Sequence, residues 1–593
     1  MRVLLSFILM VWGLPIAAQQ AADGVQPEAA VAAQDFGWSG AALDALEQRN
    51  AGQPVTANSE MVAAANPLAV EAGTAILAAG GSAADALVAV QLVLGLVEPQ
   101  SSGLGGGAFL LYYDAATGEV VTLDGRETAP LAATPQLFQD ENGEPLKFFD
   151  AVVGGRSVGT PGTPALLSEA HVRWGRLPWA QLFTDAETLA TDGFAVSPRL
   201  AGLVERDIER LGRFPSTANY FLPGGAPLQA GDTLKNPQYA ATLRAMAEGG
   251  AGVFYSGEIA QDIVTAVQSA PGNPGVLSRQ DLAVYTVKAR APVCVSYRGH
   301  DVCGMGPPSS GGLTVGQILG LLTPFDVAEL GPSNAESWRL IGDASRLAFA
   351  DRGRYMADSD FVPMPSAGLI DPDYLASRAA MLATDRALAE VAPGAPAFDH
   401  SLRWADDEAL ELPSTSHISI VDKDGNVASM TTTIENAFGA RLMVRGFLLN
   451  NELTDFSFRT HRDGVPIANA LAPGKRPRSS MAPTIVLKDG APVLAIGSPG
   501  GSRIIGYVAK TIIAMLDWGL DVQAAIDLPH AVNRFGTYDL EDGTAATELA
   551  PALIEMGYEV NARALTSGLH GIAIGETLQG GADRRREGIA MGR

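Results

Sequence analysis

The sequence predicts a layered α+β fold in which strands from both halves of the chain pair. Three observations predict it. Strand-like apolar runs follow the glycine-rich turn SSGLGGG, helical patterns dominate from Pro161 to about Tyr285, and the chain turns strand-rich again after Ser414. With 593 residues, 47% hydrophobic and 18% charged, the chain is long enough for several domains or one large layered one, and its composition is that of an ordered globular protein.

At the start, Arg2, the apolar run VLLSFILMVWGLPIA and the small residues after it read as a signal peptide over residues 1–18, cut after Ala18. A membrane anchor is the alternative, but the run has roughly 15 residues where a span needs about 20. An exported protein, periplasmic or secreted, is expected. Residues 19–55 are rich in Ala, Gln, Gly and Pro without sustained periodicity and read as a mobile lead-in, with order beginning near Met61. NPLAVEAGTAILAAGG then places Asn66 as an N-cap, Pro67 at the first helical position and Gly80-Gly81 as a stop. Ser82 to Asp85 form a capping box that opens a second, largely apolar helix to about Leu96, expected to lie between layers.

SSGLGGGAFLLYYD is a turn running into a strand, and VVTLDGRE is the next strand. Phosphate binding at the turn is not supported, because neither GxGxxG nor Walker spacing is present and a strand follows rather than a helix. In PVCVSYRGHDVCGM two strand-like runs flank Arg298-Gly299. A tight loop there sets Cys294 opposite Cys303 in a non-hydrogen-bonded pair, which suits a disulfide in an oxidising compartment; two reduced core thiols are the alternative. Residues Ala379 to Asp407, rich in Ala, Pro and Asp, read as a loose connection. Beyond Ser414 strands lead to helices such as GYVAKTIIAMLDWG and two more short strands.

Composition also excludes function classes. A formal net charge of -24 repels nucleic acid and anionic membranes, so neither is expected as a partner. Seven histidines without HExxH and two cysteines without CxxC give no support for a zinc site, and no metal or other cofactor is expected.

The stretch LPSTSHISIVDKDGNVASMTTTIENAFG, Leu412 to Gly439, carries the chemistry. ISIVDKDGNVASMTTTI reads as a hairpin with Asp422 and Gly425 at the first and fourth positions of a type I turn, Gly425 being left-handed. That loop pairs Asp422 with Asn426. Extending the register back puts Thr415 opposite Thr433, with β-carbons about 5 Å apart, within hydroxyl hydrogen-bonding reach. Two facing threonines are commonly only a β-branched pair. If the bond from Ser414 to Thr415 were cut, however, Thr415 would gain an α-amine able to serve as its own general base, and no histidine triad would be needed.

T-S-H-x-S followed by VDKDGN and TTTI, then LLNNELTDF, KRPRSSMAPTIV and GSPGGSRI, resembles the γ-glutamyltransferase family of self-cleaving N-terminal nucleophile hydrolases. The resemblance starts at NPLA and runs through VEPQSSGLGGG, LDGRE and GTPG to the last quarter of the chain. It implies a four-layer αββα fold built from two autocleaved chains, a large one over residues 56–414 and a small one over residues 415–593. It implies that Thr415 is the nucleophile of both self-cleavage and catalysis and that Thr433 hydrogen-bonds it. Gly500 and Gly501 match the backbone donors to the oxyanion, each typically worth ~3 kcal/mol in the transition state.

The resemblance further implies that Arg126, Ser479 and Ser480 grip the α-carboxylate of a γ-glutamyl group, and that Glu435, Glu452 and Asp455 hold its α-ammonium. Glu435 departs from the family, many members carrying Asn there, and keeps an acceptor while adding charge. The segment FSFRTHRDGVPIANALAPGKRPR, between Asp455 and Ser479, differs among members in whether it forms a lid. The implied activity is hydrolysis of glutathione or related γ-glutamyl compounds and transfer to amino acid or peptide acceptors through a threonine ester. The implied alternative on the same fold is a glutaryl acylase of β-lactams, whose substrate has no α-ammonium. From another class, the alternative is an inert exported binding protein.

Overall fold

The computed structural model describes residues 36–593 apart from Glu408, so the signal-peptide reading falls outside the described residues. Two seven-stranded antiparallel sheets form its centre. The first runs Ile589–Gly592, Met61–Ala64, Ser416–Val421, Val427–Thr433, Gly107–Asp114, Glu119–Gly125, Lys288–Arg290. The second runs Val55–Ala57, Leu578–Ala582, His570–Ile574, Ala491–Gly497, Thr484–Lys488, His300–Gly304, Val293–Tyr297. Both sheets contain strands from before and from after residue 415, so each sheet needs both parts of the chain.

Strand periodicity explains the layering. In Gly107–Asp114, Ala108, Leu110 and Tyr112 pack with the helices Pro67–Ala78, Ala83–Val97 and Thr163–Trp174. Phe109, Leu111 and Tyr113 turn the other way, toward Ile485, Leu494 and Ile496 of the second sheet. Beyond that sheet lie Gly311–Leu322, Ala335–Tyr355 and Ile504–Leu516. The order helix, sheet, sheet, helix is the four-layer αββα architecture of N-terminal nucleophile hydrolases. With both faces covered, the central strands Ser416–Val421 and Val427–Thr433 are buried along their whole length rather than alternating.

Local signals set several elements. Asn66 Oδ1 accepts from the Leu68 N–H at 3.0 Å to open Pro67–Ala78, and Ser82 and Asp85 form the reciprocal box that opens Ala83–Val97. At the chemical hairpin, Asp422 donates to the Asn426 carbonyl and accepts from the Gly425 N–H, both at 3.0 Å, and Gly425 has φ 84°. In the second sheet Arg298 and Gly299, both at positive φ, close the two-residue loop that sets Cys294 opposite Cys303, and the two are joined in a disulfide.

Three expectations need correction. Order begins before Met61: Ser39 caps a helix, Gly40–Asn50, held by Arg49, which donates to the carbonyls of Arg586 and Gly588 at 3.0 and 2.6 Å. A helix this short and polar carries little periodicity, and its anchor comes from the far end of the chain. The connection over 383–407 is irregular yet tethered, for the Gly394 N–H donates to Asp351 and the Ala387 N–H to the Met556 carbonyl. After Ile504–Leu516 there are six further strands rather than two. Three of them, His570–Ile574, Leu578–Ala582 and Ile589–Gly592, contain glycines that weaken any strand signal. Glycine is needed there because a Cβ on Gly580 would lie 2.5 Å from Met61 Sδ and 2.6 Å from Ala590 Cβ.

Candidate active site

The register of the hairpin brings the two threonines together. Ser416 pairs with Thr432, and one step further back the Thr415 hydroxyl donates to Thr433 Oγ1 at 3.1 Å. Thr433 Oγ1 also accepts the Glu435 N–H at 2.8 Å, which fixes its lone pairs toward the strand end. Thr415 has φ 89°, a value a β-branched residue rarely adopts and that costs on the order of 1 to 3 kcal/mol. The neighbours clamp it there. The Ser414 hydroxyl donates to the Gln100 carbonyl at 3.0 Å, the Ser416 hydroxyl to Glu98 at 3.2 Å, and Arg586 donates to the Thr415 carbonyl at 3.1 Å. Backbone strain is thus held at the Ser414–Thr415 junction.

The charged wall comes from two chain segments. Arg126 follows directly on Glu119–Gly125, and the short 3-10 helix Glu452–Asp455 stands opposite. With three residues per turn, positions three apart share a face, so Glu452 and Asp455 both meet the Arg126 guanidinium. Arg126 Nη1 pairs with Glu452, and Nη2 donates to Asp455 Oδ2 at 2.5 Å. Glu127, which the motif contained but sequence reasoning passed over, lies 3.9 Å from Arg126. Glu435 is held by the side-chain amide of Asn451, another residue not singled out beforehand.

Every charged member of this wall is 5% exposed or less. Burial lifts the carboxyls of Glu435, Glu452 and Asp455 well above the usual carboxylate range, and it lifts Glu127 to about 8. Repulsion among the acids adds to the lift, while Arg126 opposes it for Glu127, Glu452 and Asp455. One guanidinium against four carboxyls leaves the wall short of positive charge.

Ser479 and Ser480 lie on the third side. The Ser480 hydroxyl donates to Glu411, and Ser479 Oγ accepts the Met481 N–H at 3.1 Å. Gly500 and Gly501, with φ 137° and 58°, form the turn that opens Ile504–Leu516. A Cβ on Gly501 would lie 2.8 and 2.9 Å from the Glu411 and Leu412 carbonyl oxygens, so the close approach of chain there requires glycine. Arg126, Thr415, Thr433, Glu435, Glu452, Asp455, Ser479, Ser480 and Gly501 line one cavity, together with Glu411 and Leu412. Among the described residues no cluster of three His, Cys, Asp or Glu side chains is arranged to hold a metal ion.

The segment after Asp455 is closed on itself. The Ser457 N–H donates to the Asn469 carbonyl, and Asn469 Nδ2 donates to the Asp455 carbonyl at 2.7 Å and to Asp407 at 2.9 Å. The Lys475 ammonium donates to the carbonyls of Ala468 and Ala470. This loop therefore buttresses Asp455 from behind.

A four-layer αββα fold with a hydroxyl residue at the head of a central strand and a polar pocket beside it defines the class of N-terminal nucleophile hydrolases. The chain belongs to the γ-glutamyltranspeptidase family, whose sequence profile matches residues 69–593, and is an enzyme of that family. It is 38% identical over 546 residues to a glutathione hydrolase proenzyme of Bacillus subtilis (strain 168), covering 90% of this chain and 91% of the relative. It is 34% identical over 550 residues to the acylase ACY 1 proenzyme of Pseudomonas sp. (strain SE83), covering 91% and 94%. The crystal structure of cephalosporin acylase from Bacillus halodurans superposes with a TM-score of 0.81 at 26% identity, over 91% of this chain and 97% of that one.

Replacing Thr433 with alanine removes one hydrogen bond to Thr415 without opening a strand. Self-cleavage and turnover are both expected to slow by about 10- to 100-fold, the equivalent of ~1 to 3 kcal/mol. Turnover at the wild-type rate in Thr433→Ala would show that the hydroxyl pair has no chemical role.

Proposed function

We propose that the chain is an exported γ-glutamyltransferase and glutathione hydrolase that cuts itself before Thr415 and works through a γ-glutamyl ester of that residue. The observation that carries the reading is the Thr415 to Thr433 hydroxyl pair, at 3.1 Å, in the same cavity as Arg126, the acidic cluster and Ser480. In this scheme the Thr415 hydroxyl first attacks the Ser414 carbonyl, and hydrolysis of the resulting ester frees the Thr415 α-amine. That amine then takes the hydroxyl proton as Thr415 attacks the donor's γ-carbonyl, with the Gly500 and Gly501 N–H groups receiving the oxyanion. Water or the amine of an amino acid or peptide then releases the γ-glutamyl group. The relatives' designation as proenzymes of glutathione hydrolase supports both the two-chain form and the donor.

The acylase relatives make a glutaryl group the competing substrate. The excess of acid in the pocket favours the γ-glutamyl group, because a donor that brings an ammonium supplies the missing positive charge and a glutaryl group does not. No helix among the described residues is long and apolar enough to cross a membrane.

The direct test is release of glutamate from glutathione by the purified protein, with and without a dipeptide acceptor. Absence of release and of transfer would refute the reading. A pH profile adds a second test. The raised carboxyls of Glu435, Glu452 and Asp455 bind an ammonium only once ionised, so KM for a γ-glutamyl anilide is expected to fall as pH rises above the ordinary carboxylate range. A glutaryl anilide gains nothing from ionised acids, so its KM stays level or rises. A ratio of the two KM values that does not change with pH would contradict the assignment of these acids to the ammonium.

A further inference from the structure

Asn469 is fully buried in the loop between Asp455 and Ser479, and every polar group of its side chain is used. The amide nitrogen donates to the Asp455 carbonyl at 2.7 Å and to Asp407 Oδ2 at 2.9 Å, while Oδ1 accepts the Arg478 N–H at 3.0 Å. Two donors and an acceptor oxygen are what an amide side chain has to give. The Ala468 and Ala470 carbonyls on either side accept from the Lys475 ammonium at 2.6 and 2.8 Å, so Asn469 is itself held from both flanks.

Each of these bonds ends on a segment that shapes the charged wall. The Asp455 carbonyl belongs to the last residue of the short helix Glu452–Asp455, so fixing it fixes the backbone from which the Asp455 carboxylate reaches Arg126. Arg478 and the residue before it supply the carbonyls that aim Arg126: Nε donates to that of Pro477 at 3.2 Å and Nη2 to that of Arg478 at 2.8 Å. Asp407 accepts from Arg478 Nη2 at 2.9 Å, and its N–H donates to the Gly353 carbonyl at 3.0 Å, which ties it to the helix Ala335–Tyr355. One amide thus joins the support of Asp455 to the support of Arg126, and its bond to Asp407 spans the Ser414–Thr415 junction.

We propose that Asn469 is a positioning residue for donor binding, which keeps Asp455 at a set spacing from Arg126 and carries that spacing across the cut through Asp407. The inference rests on the γ-glutamyl reading above and adds to it a residue that touches no substrate and acts through two that do. The α-carbon of a γ-glutamyl group presents a carboxylate and an ammonium at a fixed separation, so the wall fits only while its own charges keep one spacing. Loss of the amide lets that spacing drift. The cost falls on binding rather than on chemistry, because Thr415 and Thr433 are placed by the hairpin register and not by this loop.

The test measures kcat and KM for γ-glutamyl para-nitroanilide in the cut wild-type enzyme and in Asn469→Leu, which keeps the branched shape and has neither donor nor acceptor. KM is expected to rise by about 10- to 30-fold with kcat little changed, the effect of losing the hydrogen bonds that hold one charge of the wall in place. The same substitution in an Asp455→Asn background separates positioning from bulk stability. An Asn469 that acts through Asp455 has a much smaller further effect there, whereas losses of independent origin multiply. Asn469→Asp, which keeps an oxygen for the Arg478 N–H, carries the same comparison where Asn469→Leu fails to fold, and two chains on a denaturing gel certify each variant. An unchanged KM, losses that multiply, or failure of both variants to yield two chains would overturn the inference and leave Asn469 a purely structural residue. A wild-type enzyme that does not turn over the anilide would refute the functional reading itself, and the inference with it.

Discussion

Thr415→Ala is expected to remain a single uncut chain and to lose activity toward every γ-glutamyl substrate. The substitution removes the hydroxyl that the hairpin register sets against Thr433 Oγ1 at 3.1 Å, at a junction held at φ 89°. The methyl group cannot attack the Ser414 carbonyl, and without that attack no N-terminal amine is ever produced. Nucleophile and base are lost together, so the loss of kcat is expected to reach about 10⁴-fold or more. Ser414 and Ser416 do not substitute, because their hydroxyls are already committed to the Gln100 carbonyl and to Glu98. Mass spectrometry that finds a smaller chain beginning at residue 415 in this variant would remove Thr415 from the mechanism.

Asp455→Asn is expected to lower kcat/KM for a γ-glutamyl anilide by at least about 30-fold, since breaking a buried charge pair costs on the order of 2 to 5 kcal/mol. The donor's ammonium loses a counter-charge. Arg126 keeps at most the neutral amide oxygen as an acceptor in place of a carboxylate, and the amide NH2 is then the group left to face the ammonium. A matched glutaryl anilide has no ammonium and is expected to lose little or to gain, because one less acid has to be desolvated beside it. The decisive quantity is the ratio of the two kcat/KM values. A ratio unchanged from wild type would detach Asp455 from ammonium recognition and bring the glutaryl reading back.

Much of this site was legible in the sequence because it is local. The loop over Asp422 to Asn426 sets the hairpin register by turn chemistry alone, and counting back from it reaches Thr415 and Thr433 without any tertiary information. Glu452 and Asp455 were legible as a motif, and their common face follows from one turn of helix. What was not legible joins distant residues. Arg352 meets Glu411 and Ser480 across 59 and 128 residues, and neither end carries a local signal beyond being a charge near a turn or in a helix. The helix Gly40–Asn50 was missed for the same reason, its buried Arg49 being satisfied by carbonyls more than five hundred positions away. The glycine-containing strands at the end of the chain follow the opposite logic: the closeness of the two sheets selects residues of low strand propensity.

The central claim is that Thr415, once freed at its amine, carries the γ-glutamyl group. It is tested most directly by quenching the active enzyme in acid during turnover of a γ-glutamyl anilide and locating the acyl group by peptide mass spectrometry. The expected result is a small chain that starts Thr-Ser-His-Ile-Ser and carries a γ-glutamyl ester on its first residue. An active enzyme whose Ser414–Thr415 bond is intact, or one acylated at another side chain, would contradict the account.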